Sequence, residues 1–390
     1  MVIRLSKQKT ITFLTAFLFF SIGNLSRMLQ LFGIPRELSY GAYLLVLAAY
    51  FVMRLNTVSI LDILYYLFVL PFVAYGLIKY GAYTRSDTDI FATVLVFLPA
   101  YLFFRTMQGQ EELLGKGVLA AAWFSAVYLL VYYVLFVRRA VGYNMSYAYW
   151  VSFPICILSD RFYRTKNPFC LVMVAAMYVS LVLSGCRGAL LLTTLYMLWI
   201  FFGESFLQKR NKKKYLMIAF AVPIILLAAS NMDLLISFLT RYSGRSRNIR
   251  KLLEGNYLDA SGRRVIYGLC RSLIDQRPWG YGPLASRALL VGHNYPHSLY
   301  YELQLDMGRY LGFAVFCAVT YMTIANLFFY RSSRLRATAS YLCIVCVGAL
   351  MVSSSYYYEM NIPAMAALFV NHFREKRRKK ETEQTDTASA

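Results

Sequence analysis

Runs of about twenty apolar residues recur along this chain, and no other feature restricts its fold so strongly. A hydrocarbon layer roughly 30 Å thick takes about 20 apolar residues to cross as a helix. A helix satisfies its backbone N–H and C=O groups internally, as a crossing segment must. Such runs fall at 10–27, 37–54, 58–79, 88–105, 117–137, 144–159, 168–184, 187–203, 215–231, 308–330, 337–353 and 359–373. Those at 144–159 and 359–373 are short for a crossing and suit tilted or re-entrant segments. Only 15% of the residues are charged, against about 25% in an average soluble domain. The expected fold is therefore an all-α polytopic membrane protein of about 12 transmembrane helices with one large extracytoplasmic loop. The boundaries are a transmembrane bundle at 1–230, the loop at 231–298, transmembrane helices at 299–373, and a basic, then disordered, tail at 374–390.

A formal net charge of +22 would point to nucleic acid in a soluble chain. Here it has a simpler source, because Lys and Arg hold short loops on the cytoplasmic side. No soluble basic module is present to bind nucleic acid. The anchors are Lys209-Arg210 with Lys212 to Lys214, then Arg331, Arg334 and Arg336, and the tail from Arg374 to Lys380. They place both termini in the cytoplasm, with Arg138-Arg139 the one pair that fits badly. Arg4, Lys7 and Lys9 precede the first apolar run without a clean cleavage site after it, which reads as a first span rather than a signal peptide.

Seven cysteines lie almost wholly inside apolar runs, so Cys343 and Cys346 read as packing residues despite their CxxC spacing. Three histidines are too few for a multi-ligand zinc site. Asp87-Thr88-Asp89 has the spacing of a metal-binding DxD, but Asp also favours helix starts. No metal and no cofactor is expected.

Chemistry can sit in three places. Ser184-Gly185-Cys186-Arg187-Gly188 puts an arginine between two apolar runs, where it must snorkel or meet an anion. The outer loop carries Arg241, Arg245, Arg247, Arg250, Lys251, Arg263, Arg264, Arg271, Arg277 and Arg287 against Asp233, Glu254, Asp259 and Asp275. Topology does not call for positive charge there, whereas an anionic substrate or lipid headgroup does, and Arg grips phosphate with two N–H groups. Within that loop, Val265, Ile266, Leu269 and Leu273 have helical spacing, so Arg263 to Ile274 reads as an amphipathic helix on the membrane. Pro278, Gly280, Gly282 and Pro283 mark the turns that follow. Finally, Tyr295 to Leu303 contains His297, a group that titrates near neutrality and can accept a proton, with His293 a rival for that role.

Together these segments resemble the O-antigen ligase and Wzy-type polysaccharide polymerase superfamily. The resemblance covers roughly residues 180–315, and the first half of the chain matches only in hydropathy. Ser184 to Gly188 matches an SGSRG-like turn, with Cys186 for the usual Ser. Gly262-Arg263 matches a Gly-Arg near the loop helix, and Pro278 to Gly282 a P-x-G-x-G turn. Pro296-His297-Ser298 to Glu302, followed by Gly308, matches a PHN-x-aromatic-L-E segment, with Ser298 for the usual Asn and an unusual Arg309.

The resemblance implies a glycosyltransferase that takes a glycan from undecaprenyl diphosphate to an acceptor hydroxyl, without a metal, at the outer face of a bacterial inner membrane. Arg187 and Arg263 would clamp the diphosphate and His297 would handle the acceptor proton, making these the catalytic candidates. Arg264, His293, Tyr300 and Glu302 would bind substrate, and outward tyrosines such as Tyr356 to Tyr358 would stack on sugars. Partners implied are the lipid-linked donor, the glycan acceptor, membrane lipids and a chain-length regulator protein. Repeat-unit polymerisation for O-antigen or capsule leads, and ligation onto lipid A-core or another acceptor is the close alternative. A flippase for the same lipid-linked sugars would need charges in mid-span, where Asp62 is the main ionisable residue.

Overall fold

The computed structural model describes residues 7–83, 93–137, 144–207, 263–290 and 295–389. Among them the regular structure is entirely helical. The helices are α1 (Lys7–Leu31), α2 (Arg36–Arg54), α3 (Ile60–Tyr80), α4 (Leu98–Thr106), α5 (Glu111–Tyr132), α6 (Met145–Thr165), α7 (Pro168–Leu183) and α8 (Arg187–Leu207). After them come α9 (Arg263–Gln276), α10 (Ala285–Leu289), α11 (Leu299–Met307), α12 (Arg309–Phe329), α13 (Arg336–Ser340), α14 (Val347–Val352) and α15 (Asn361–Ser389). π-helical turns open α4 at Thr93–Phe97, extend α5 at Tyr133–Val137 and join α13 to α14 at Tyr341–Cys346.

Five helical segments are long and apolar enough to cross a membrane: Lys7–Leu31, Arg36–Thr57, Ile60–Tyr80, Glu111–Phe136 and Arg309–Phe329. Four shorter apolar ones are Thr93–Thr106, Pro168–Leu183, Arg187–Gly203 and Arg336–Val352. The apolar runs expected at 144–159 and 359–373 are helical too, while 215–231 lies outside the described residues. The long helices turn their apolar side chains outward. In α3 only 17% of the most apolar stretch is buried, with Phe68 83% and Ile78 86% exposed. Soluble proteins do not leave contiguous surfaces like this bare, so this is a membrane protein built on several apolar helices.

The chain divides into two compact units, Met1–Phe19 with Tyr40–Gly117 and Ala260–Ala390, and Phe20–Ser39 with Val118–Asp259. In the second, small buried residues, Ala121, Ala122 and Ala126 on α5, let helices approach closely. Hydrogen bonds then lock them: Asn24 to Ser125 (3.0 Å), Tyr147 to Ser180 (2.8 Å) and Thr193 to Ser152 (2.8 Å). Asn144 caps α6 through Tyr147 N–H, and Asn167 with Pro168 starts α7.

The first unit holds α2, α3 and α4 with the helices from α9 onward. Its main polar tie is at one end of α3, where Asp62 sits in a capping box with Ser59. Asp62 also meets Arg105 at 3.0 Å and accepts from the Tyr101 hydroxyl at 3.0 Å. Arg105 continues to Asn371 at 2.6 Å. Asp62 is therefore not a mid-span charge: it is the third residue of its helix, fully buried and ion-paired, so it gives no foothold to a transport path. α15 runs on to Ser389, through a stretch of Lys, Arg and Glu that favours helix, with Arg377 bonded to Glu381 one turn on.

Candidate functional site

The segment after α9 folds back on the α11–α12 junction through its glycines. Tyr281 N–H donates to Leu305 O (2.8 Å), Gly282 N–H to Asp306 O (3.0 Å), and Arg309 N–H to Pro278 O (2.7 Å). Gly280 and Gly308 lie face to face with φ of +85° and +88°; a Cβ on Gly280 would come within 2.4 Å of Gly308 N, and one on Gly308 within 2.6 Å of Pro278 O. The Pro278–Gly282 turn and Gly308, widely spaced in sequence, thus form one clasp. Gly76 of α3 sits against Pro283 with no room for a side chain, and Tyr80 donates to Tyr281 O at 2.9 Å, seating the clasp on α3.

α9 is amphipathic, with a protein-facing stripe shifted from the expected one. Ile266, Cys270 and Ile274, spaced i, i+4, i+8, pack with Leu290 and Leu305. Val265 and Leu269 stay exposed, at 73% and 40%. The helix thus has two apolar faces, one for the protein and one left for the membrane surface, which a single moment could not separate. Burial pushes the Cys270 thiol up to about 12, which leaves it unreactive.

His297 takes φ +57°, in the left-handed region, one residue before Ser298 at the start of α11. A side chain held there is uncommon and strained by about 1–3 kcal/mol. Its ring lies 4.3 Å from that of Tyr295, whose hydroxyl donates to Ser353 O at 2.8 Å. His297 is half-buried, at the amino-terminal end of a nine-residue helix.

Glu302 and Arg287 are not available to substrate. They form a buried ion pair, Arg287 Nη1 donating to Glu302 Oε1 at 2.7 Å. Ser355 Oγ donates to the same oxygen (2.5 Å) and accepts from Arg287 Nη2 (2.8 Å). One turn on, Asp306 Oδ2 accepts from the Tyr356 and Tyr357 hydroxyls at 2.7 and 2.8 Å. This overturns two expectations. Glu302 is a structural partner rather than a substrate ligand, and Tyr356 and Tyr357 are buried carboxylate ligands rather than exposed sugar platforms. The side chain of Tyr358 lies outside the described residues.

Burial, and then the charge of nearby Glu302, push the Asp306 carboxyl up to about 8, against the pull of both tyrosines and Arg287. The folded chain therefore binds this proton more tightly than the unfolded one. The stabilisation is fully present below the unfolded value near 3.8 and is lost as pH rises to about 8. Thermal melts from pH 4 to 9 are expected to show wild type losing stability relative to Asp306→Asn across that window. Parallel curves would contradict the assignment.

Beside this core lies a cavity of about 570 Å³ lined by Arg271, Ile274, Asp275, Tyr300, Tyr301, Gln304, Arg309, Tyr310 and Phe313. Arg271 Nε donates to the Tyr301 hydroxyl at 2.9 Å, and Tyr301 stacks on Tyr267 at 4.9 Å. Arg309 pairs with Asp275. Of the residues expected from sequence, Tyr300 lines this cavity directly. Arg263 opens α9 within electrostatic reach of Tyr267, which links it to the cavity wall, and Arg264 is exposed beside it. His293, the Asp87-Thr88-Asp89 motif, and the loop arginines from Arg241 to Arg250 lie outside the described residues.

Arg187 belongs to the other unit. It is the first residue of α8, after a tight turn in which Gly185 takes φ +77°. That turn is tied to the start of α6 by Asn144 N–H donating to Ser184 O at 3.0 Å.

Sequence reading missed Gln304 and Tyr310 as lining residues, and named Arg271 only as one of the basic residues of the loop. Spacing carried a usable signal for one of them, since Tyr300 and Gln304 are i, i+4 on α11. Among the described residues no group of three or more His, Cys, Asp or Glu is placed to hold a metal. No protein-family model matches the chain, and no curated protein matches it.

Proposed function

We propose that this chain is a membrane glycosyltransferase that polymerises undecaprenyl-diphosphate-linked oligosaccharide repeats into O-antigen or capsular polysaccharide, at the outer face of a bacterial inner membrane. The observation that carries this reading is the clasp of the Pro278–Gly282 turn with Gly308 at one end of α11, beside a cavity walled by arginines and tyrosines, with His297 at the other end of the same helix. In the reaction, the acceptor hydroxyl oxygen forms the new bond to the anomeric carbon as the carbon–oxygen bond to the diphosphate breaks. His297 takes the hydroxyl proton, and undecaprenyl diphosphate leaves. Arg263, with Arg264 beside it, holds the charge that grows on the leaving group, and Arg187 is a separate candidate for that role on its own unit.

The test is a gel of surface polysaccharide from a deletion strain carrying wild type, His297→Asn or Arg187→Ala. The expected result is full ladders with wild type and single-repeat products with the deletion and both variants. Long lipid-linked chains that never reach their final acceptor would replace polymerisation by ligation. Normal ladders from both variants at normal expression would overturn the assigned site.

A further inference from the structure

The cavity against α11 holds features that proton transfer at His297 and a diphosphate clamp leave unused. Gln304 is 95% buried, at 5% exposure, and borders the cavity. Its side-chain amide makes no hydrogen bond among the described residues and is not one of the fully buried unpartnered groups, so it stays open to the cavity. An amide open to a cavity can both donate to and accept from a ligand that does the same. Asp275 and Arg309 neutralise one another across the cavity. Arg271, one turn before Asp275, is bonded to the neutral Tyr301 hydroxyl and to no carboxylate among the described residues. One positive charge is thus left uncompensated in the wall. Tyr300, Tyr310 and Phe313 supply flat apolar faces. The volume of 570 Å³ falls in the roughly 300–1,000 Å³ range of small-molecule sites.

The geometry points to a subsite for an acidic sugar of the glycan, its ring against Tyr300, Tyr310 and Phe313, its hydroxyls on Gln304 and its carboxylate on Arg271. A pyranose has apolar C–H faces that cover aromatic rings, and hydroxyls that both donate and accept, which is what an unpartnered amide requires. A guanidinium binds a carboxylate with two parallel N–H groups. This inference rests on the reading of the chain as a glycan transferase and specifies its substrate class. A phosphatidylglycerol headgroup shares the charged oxygens but has no ring with hydroxyls to satisfy Gln304 and cover the tyrosines at once.

The experiment is calorimetric titration of the full-length chain, in phosphatidylcholine nanodiscs, with digalacturonic acid and with neutral digalactose. The acidic disaccharide is expected to bind about tenfold more tightly, as a charge-assisted hydrogen bond allows. Arg271→Gln should bring the two affinities together, Arg271→Lys should keep part of the preference, and Gln304→Leu should weaken both sugars. Equal affinities in wild type, or no binding of either sugar, overturns the subsite. Repeating the titration in nanodiscs containing phosphatidylglycerol separates the two anion sources. Unchanged affinity supports the sugar, whereas an Arg271-dependent loss assigns the charge to headgroups and overturns it. None of these readouts requires transfer. A wild type that binds acidic sugar but makes no polymer would refute the transferase and leave the subsite standing.

Discussion

Glu302→Ala is expected to destabilise the protein by about 3–5 kcal/mol, the usual consequence of removing one half of a buried ion pair. Glu302 is 1% exposed and takes hydrogen bonds from Arg287, Ser355 and the Tyr356 backbone. Its removal takes from the Arg287 guanidinium, which lies against Ser286, Tyr295 and Tyr357, the carboxylate it is bonded to. Replacing both partners, Arg287→Met with Glu302→Leu, should come much closer to wild type, because the stranded charge disappears with its partner. Reversible thermal or denaturant unfolding in detergent measures the difference. A single-variant loss below about 1 kcal/mol would mean that water reaches the pair, which the burial of both side chains argues against.

Gly308→Ala should be comparably severe for a reason that involves no charge. Its φ of +88° and ψ of 165° belong to a region open in practice to glycine alone, worth about 1–3 kcal/mol by itself. The new Cβ would also press on the backbone of Pro278 and Trp279 rather than on a movable side chain. Gly280→Ala breaks the same contact from the other side, so the double variant should lose clearly less than the sum of the two singles. Full additivity would show that the clasp does not form as a unit. Amide exchange in Tyr281 and Gly282, whose N–H groups are bound across it, offers a second readout of the same event.

The sequence was most informative where one physical force dominates. Hydropathy placed helices from Lys7–Leu31 to Asn361–Ser389 because lipid imposes a length and a composition at once. The start of α9 at Arg263 and the turn after it were legible for similar reasons, since helical spacing and Pro/Gly clusters are local signals. Side-chain partnership was not. Asp62 stands alone in sequence, and nothing nearby announces Arg105, which reaches it from another helix and is itself bonded to Asn371. Tyr356 and Tyr357 have the composition of an interfacial aromatic patch, but the buried Asp306 carboxyl on α11 draws in both hydroxyls. The split of α9 into an inner and an outer apolar stripe likewise depends on where α11 lies, and helical spacing alone cannot rank one stripe over its neighbour.

The left-handed backbone at His297 means that a substitution there changes two things at once. Alanine deletes the imidazole and also burdens the folded state with a conformation that alanine resists, so lost activity would mix chemistry with a shifted helix start. Asparagine enters that region far more readily, and glycine enters it freely. Residual polymer made by the glycine and asparagine variants, set against that of alanine, therefore separates what the ring does from what the turn does. Position 297 carries its own internal control, in which the imidazole's share is whatever asparagine and glycine fail to restore.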